Sequence, residues 1–214
     1  YGIKLKYEQM LVRKQELRKV INEVRDNNIL GFNVTLPHKV EIIPYLDSLH
    51  DTARKSGAVN TVYKNRKKKI EGANTDGVGF CSYLEKDKRF NFYEKSILIL
   101  GAGGSAKGII SEMVDRKISR INVMNRTEKK AEEIASHYKN HPTKVIAEKW
   151  NINKPLENVD LIVNTTSFGM EANEYIKLNT QDLKQSAIII DIIYNPRQTM
   201  FLRDQRNRGF SVYN

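Results

Sequence analysis

Ser96-Ile97-Leu98-Ile99-Leu100-Gly101-Ala102-Gly103-Gly104-Ser105-Ala106-Lys107-Gly108-Ile109-Ile110 carries three signals in fifteen residues. An apolar run of strand character ends at Leu100. A glycine-rich turn follows, and Ile109, Ile110, Met113 and Val114 then recur at helical spacing. The pattern is strand, tight turn, helix. Gly101, Gly103 and Ala106 match the dinucleotide fingerprint in its alanine-ending form. Gly101 permits a sharp turn, Gly103 lets a pyrophosphate approach the backbone, and Ala106 lets helix pack on strand. The helix start offers free N–H groups and partial positive charge to phosphates.

Downstream of this stretch, strand and helix alternate. Strands are expected at Arg120–Asn125, Lys144–Ala147, Asp160–Asn164, Ala187–Asp191 and Phe210–Tyr213, with helices over 104–115, 128–138 and 198–207. Strands that are apolar without alternation, separated by helices, imply a parallel sheet covered on both faces. Residues 91–214 therefore read as a doubly wound Rossmann-type domain.

Upstream lies a mixed α/β unit over 1–90. Tyr1, Ile3, Leu5 and Tyr7 alternate with polar residues, which predicts a half-buried strand. Residues 8–25 carry Leu11, Leu17, Val20, Ile21 and Val24 at helical spacing, a strand is expected over Leu30–Leu36, and a short helix over Lys39–Leu46, kinked by Pro44. Further helices are expected over Asp51–Ser56 and Asp76–Glu85. Residues 58–63 and 70–74 predict a hairpin whose loop carries Lys64-Asn65-Arg66-Lys67-Lys68-Lys69. Residues 86–95 are polar and aromatic and join the two units.

The chain has 214 residues, 40% hydrophobic, with a net charge of +11. Such a charge suits nucleic acid or anionic small molecules. No aromatic residues interleave with the basic run, so a stacking platform for bases is not indicated. No apolar run approaches the ~20 residues that span a bilayer. The single cysteine, Cys81, rules out an internal disulfide and fits a reducing compartment. His38, His50, His137 and His141 lack ligand spacing, so no metal is expected.

The tip of the second strand in the doubly wound unit selects the nucleotide. That strand ends Val123-Met124-Asn125-Arg126-Thr127, about 24 positions beyond Gly101. The acid that binds a ribose 2′-hydroxyl in this fold is missing. Arg126 instead offers a planar fork suited to a 2′-phosphate. Asn125 and Thr127 add neutral hydrogen bonds, and Lys130 a second charge. Asn-Arg-Thr also reads as a helix start with Thr127 as N-cap, and both readings can hold together. NADP is favoured over NAD.

In the upstream unit, Gly31-Phe32-Asn33-Val34-Thr35-Leu36-Pro37-His38-Lys39, Ala58-Val59-Asn60-Thr61 and Asn74-Thr75-Asp76-Gly77 are unusually polar. Lys39, expected at a helix start, is poorly placed for the helix dipole, and Asp76 is a candidate counter-ion. Taken singly, either residue reads as an ordinary surface charge.

With these clusters joined to Leu100–Ala106, Asn125-Arg126-Thr127, Asn164-Thr165-Thr166-Ser167-Phe168-Gly169-Met170 and Asp191-Ile192-Ile193-Tyr194-Asn195-Pro196, the chain resembles the shikimate dehydrogenases over residues 31–196. The resemblance implies a hydride delivered by NADPH to 3-dehydroshikimate, giving shikimate in aromatic amino-acid (chorismate) biosynthesis. It matches Lys39 with the catalytic lysine and Asp76 with its partner, and Thr35, Asn60 and Tyr194 with substrate contacts. It matches Gly101, Ala102, Gly103, Gly104, Ser105, Ala106, Asn125, Arg126, Thr127 and Lys130 with cofactor loops. Thr165, Thr166 and Ser167 join them on the cofactor side. Met170 matches the nicotinamide pocket, and Asp51 and Ile192 minor cofactor-side positions. Arginine is usual in the family where Lys130 stands, so the charge is kept and the fork lost. Family members also carry an upstream segment with two serines and downstream helices with a glutamine. The chain is therefore expected to be a piece of a longer protein. A cytoplasmic monomer or homodimer acting on a small molecule is expected, with no nucleic-acid or membrane partner. The alternatives are an NAD-using quinate/shikimate dehydrogenase and a non-catalytic NADP-binding module.

Overall fold

The computed structural model describes residues 4–171 and 174–214. The first sheet has four short strands: β1 (Gly31–Asn33), β2 (Ser48–Leu49), β3 (Thr61–Lys64) and β4 (Ile70–Ala73), in the order β1-β3-β4-β2. β3 and β4 form the expected antiparallel hairpin, with Thr61 opposite Ala73 and Lys64 opposite Ile70. Its basic loop is organised by Asn65, whose Oδ1 accepts from the amides of Lys67 and Lys69. Helix α1 (Leu17–Arg25) presents Leu17, Ile21 and Val24 as one apolar stripe to a core with Val34, Ile42, Val59, Val62 and Ile70. Helix α2 (Asp51–Ser56) ends at Gly57, whose φ of 64° supplies the left-handed turn.

Three expectations fail here. Tyr1 and Ile3 lie outside the described residues. Lys4–Tyr7 forms no strand: Leu5 and Tyr7 are exposed, and no strand pairs with the segment among the described residues. Alternation needs a neighbouring edge before it becomes a strand. The helix within 8–25 is α-helical only from Leu17, after a single tight turn at Lys14–Glu16. Leu11 stands fully in solvent, so no apolar stripe supports the earlier turns. Residues 36–42 form successive turns and Ile43–Tyr45 a 3₁₀ turn, in place of a helix over Lys39–Leu46. Pro44 has no N–H to give and disfavours α geometry at Ile43.

Helix α3 (Asp76–Lys86) leads from the first sheet, and residues 87–95 carry no helix or strand. The second sheet has β5 (Ser96–Leu100), β6 (Arg120–Asn125), β7 (Lys144–Lys149), β8 (Leu161–Asn164), β9 (Ile188–Asp191) and β10 (Ser211–Tyr213). All neighbours are parallel, in the order β7-β6-β5-β8-β9-β10. Between them run α4 (Gly104–Met113), α5 (Glu128–His137) and α6 (Met200–Asn207). β5 is buried at every position. Ile97 and Ile99 face the layer of α4 and α5, with Ile109, Ile110 and Ile134. Leu98 and Leu100 face the other layer, with Phe201 and Leu202 of α6. The order reverses between β5 and β8, the crevice where open sheets of this kind bind ligands.

Helices α3 and α4 cross backbone to backbone. A Cβ added at Gly77 would lie 2.2 Å from the Gly108 carbonyl oxygen. One added at Gly108 would lie 2.8 Å from Asn74 Oδ1. Arg116 completes the join, donating from Nε to Glu85 at 2.7 Å and from Nη1 to Glu112 Oε1 at 2.9 Å. Gly77→Ala should therefore separate the helices and cost about 1–3 kcal/mol, the usual range for overpacking. Gly79→Ala, on the same helix with open space beyond it, should stabilise by about 0.5–1 kcal/mol. Urea unfolding of both variants checks this, and similar midpoints for the two would contradict the crossing as the cause.

Candidate active site

Lys39 lies in the turns after β1, with its carbonyl accepting from Val59 N at 2.7 Å. Asp76 opens α3, where an acid suits the helix dipole. Its amide donates to Asn74 Oδ1 at 3.0 Å, and Asn74 Nδ2 donates to the Ala58 carbonyl at 3.1 Å. The two charges, 37 positions apart, come together with Lys39 Nζ 2.7 Å from Asp76 Oδ2. Asn60 Nδ2 donates to the other carboxylate oxygen at 2.6 Å. Lys39 Nζ also donates to Ser105 Oγ at 3.0 Å. The pair is largely buried, with side-chain exposures of 14% and 26%.

The glycine-rich turn stands opposite. Gly101 has a φ of 105°, and a Cβ there would meet Thr165 Oγ1 at 2.7 Å. Ala102 and Ala106 are buried. A Cβ at Gly103 would meet open space, whereas one at Gly104 would lie 2.6 Å from Lys39 Cβ. Thr165 Oγ1 donates to the Leu100 carbonyl at 2.7 Å, and Thr166 Oγ1 to Asn164 Oδ1 at 2.7 Å. Ser167 and Met170 are exposed and Ile192 half-buried, at the same strand ends. At the tip of β6, Asn125 Nδ2 donates to the Thr127 carbonyl at 2.8 Å. Thr127 precedes α5 but makes no capping bond with its side chain. Arg126 and Lys130 are exposed, without an ion pair among the described residues. The open side of Gly103, the start of α4 and the uncommitted Arg126 fit a dinucleotide with a 2′-phosphate.

Thr35 and Tyr194 are exposed and make no side-chain hydrogen bond among the described residues, so the structure does not tie them to Lys39 and Asp76. Asp51 pairs with Arg54 at 2.6 Å. It lines a cavity of about 190 Å³ with Thr52, Lys55, Asn74 and Glu112.

A buried network that no sequence motif announces lies beneath the loops after β8 and β9. Asp191 Oδ1 accepts from Asn164 Nδ2 at 3.0 Å and Ile193 N at 3.1 Å, while Oδ2 accepts from Thr199 Oγ1 at 2.8 Å. The available signal was a polar residue closing each apolar strand. Burial pushes the Asp191 carboxyl above its ordinary 3.8, against these three donors. Folding thus favours its protonated form. That contribution is full below about pH 3.8 and is lost as pH rises through the higher folded value. Asp191→Asn should remove this part of the stability–pH curve relative to the wild type. Urea titrations across the acid range check it, and parallel curves would contradict it.

A doubly wound sheet with an open glycine turn at its switch point, faced by a buried lysine–aspartate pair, defines a nicotinamide-nucleotide-dependent oxidoreductase. Residues 1–62 match the family model described as shikimate dehydrogenase substrate binding domain, and residues 84–204 the one described as shikimate / quinate 5-dehydrogenase. The chain belongs to the shikimate dehydrogenase family. It is 38% identical over 209 residues to shikimate dehydrogenase (NADP(+)) of Geobacillus sp. strain WCH70, covering 97% of this chain and 75% of that one. A crystal structure of a shikimate dehydrogenase in complex with NADP+ superimposes with a TM-score of 0.84 at 33% identity, over 95% of this chain and 71% of that one. The 5-ketofructose reductase of Gluconobacter sp. strain CHM43 superimposes with a TM-score of 0.83 at 32% identity, over 95% and 73%.

Proposed function

We propose that the chain catalyses the reversible, NADP(H)-dependent reduction of 3-dehydroshikimate to shikimate, a step of aromatic amino-acid biosynthesis. The observation that carries this reading is Lys39 Nζ, held between Asp76 and the first turn of α4. NADPH, when bound, supplies the hydride. Lys39 gives its proton to the oxygen of the reacting carbonyl, so that no free alkoxide accumulates. Asp76 orients the ammonium, and Asn60 holds Asp76 through its second oxygen. Thr35, Asn60, Asp76 and Tyr194 are the substrate contacts in this reading.

Gly101–Ala106 cradle the pyrophosphate with backbone N–H groups. Asn125, Arg126, Thr127 and Lys130 take the 2′-phosphate. Thr165, Thr166, Ser167, Met170 and Ile192 line the nicotinamide side, with Asp51 at its margin. The four-stranded and six-stranded sheets support a division into a substrate unit over 1–90 and a cofactor unit over 91–214. No helix among the described residues is long and apolar enough to cross a membrane, and the reading places the protein in the cytoplasm as a monomer or homodimer.

The test follows NADPH absorbance with 3-dehydroshikimate as substrate and with quinate plus NADP and 5-ketofructose plus NADPH as competitors. Lys39→Ala should lower kcat by ~10²–10⁴-fold, the usual contribution of a positioned acid, with NADPH affinity near normal. Unchanged kcat would overturn the assignment. Arg126→Ala should weaken NADPH by roughly 1.5–3 kcal/mol, the worth of a hydrogen bond to a charged group, and leave NADH nearly untouched. Equal loss with both cofactors would overturn the 2′-phosphate contact. Preference for 5-ketofructose or quinate would overturn the substrate.

A further inference from the structure

We propose that Ser105 is a positioning residue for the proton donor: its hydroxyl holds the Lys39 ammonium so that the one remaining N–H is aimed into the cleft. The proposal rests on the reading of Lys39 as the donor. An ammonium has three N–H groups and no acceptor. In Lys39 one goes to Asp76 Oδ2 at 2.7 Å and one to Ser105 Oγ at 3.0 Å. A single acceptor would leave the head free to rotate about its last bond and to swing on a flexible stem. A second acceptor, in a different direction, removes that freedom. The third N–H then has one orientation, and a reacting oxygen meets a donor already in place.

The stem is held by the same helix. The site of a Gly104 Cβ is filled by the lysine, with Cβ at 2.6 Å, Cδ at 3.2 Å and Cγ at 3.4 Å. Lys39 thus runs along the first turn of α4, and the next residue, Ser105, meets its tip. Ser105 makes no other side-chain hydrogen bond among the described residues, so its hydroxyl is not spent on capping α4. The separation of the two acceptors is fixed by the fold. Asp76 directly precedes Gly77, and Ser105 sits one turn before Gly108 on the same face of α4. The backbone contact between Gly77 and Gly108 therefore sets the span that the ammonium bridges.

This assigns to a side chain in the cofactor turn a role toward the proton donor. Ser105→Ala keeps the backbone N–H available to a phosphate and removes only the acceptor. Its kcat should fall about tenfold, the loss of one hydrogen bond to a charged group. NADPH affinity and substrate KM should stay within about twofold, since the hydroxyl's one hydrogen-bond partner among the described residues is Lys39. The solvent deuterium isotope effect on kcat should rise, because proton delivery becomes slower. Ser105→Thr, which keeps the hydroxyl, should restore both kcat and the isotope effect. In the Lys39→Ala background, Ser105→Ala should cost nothing more.

Full kcat with an unchanged isotope effect in Ser105→Ala would overturn the proposal. So would a weakened NADPH affinity at unchanged kcat, which would make Ser105 a cofactor contact only. An equal loss with and without Lys39 would overturn it as well. Full activity of Lys39→Ala alone would instead overturn the underlying assignment of the donor, and the two failures are distinct.

Discussion

The site depends on one backbone contact, the crossing of α3 over α4 at Gly77 and Gly108. A side chain at Gly77 would press on the Gly108 carbonyl, and one at Gly108 on the Asn74 amide that precedes α3. Because they are absent, Asp76 at the head of α3 comes within one lysine ammonium of Ser105 at the head of α4. Gly104 extends the same economy of volume to the lysine stem. Gly77, Gly104 and Gly108 thus let Lys39, Asp76 and Ser105 come together. For the proposed reaction small shifts there matter, because a misplaced donor loses much of its effect while binding is retained.

Around that crossing the two sheets do different work. The six-stranded sheet brings the tips of β5, β6, β8 and β9 to one edge, so Gly101, Asn125, Thr165 and Ile192 share a rim although they are far apart in sequence. Its central strand is buried on both faces, which makes the rim rigid. Asp191, Asn164 and Thr199 brace the rim from below with a fully buried network linking β8, β9 and the cap of α6. The four-stranded sheet supplies short strands whose ends carry Asn60 and lead to Lys39 and Asn74. There, side-chain amides rather than long ladders hold the polypeptide in place.

Much of this was legible in the residues. The run Ser96–Ala106 specified strand, turn and helix because a buried parallel strand needs unbroken apolar residues and the turn needs glycine. Lys39 and Asp76 were recognisable as partners, and they meet. Gly104 was legible only as part of a motif; its close approach to Lys39 depends on a turn 65 positions earlier. The Ser105 contact and the Asp191 network were hidden for the same reason, since both join residues that no local period links. The failures at Lys4–Tyr7 and Lys39–Leu46 were of another kind. Alternation suggested a strand where no edge was available, and Pro44, expected only to kink a short helix, leaves turns in its place.

The most direct measurement is a crystal structure of the protein with NADP+ and shikimate bound together. The expected result is Lys39 Nζ within ~2.7–3.2 Å of the hydroxyl oxygen on the carbon to be oxidised, a hydrogen-bond distance. Asp76 should stay on the ammonium, and the nicotinamide should lie ~3–3.5 Å from the carbon bearing that oxygen, near-attack range. A ternary complex in which Lys39 is turned away from that oxygen, with another side chain of the protein in its place, would contradict the central role given to the α3–α4 crossing.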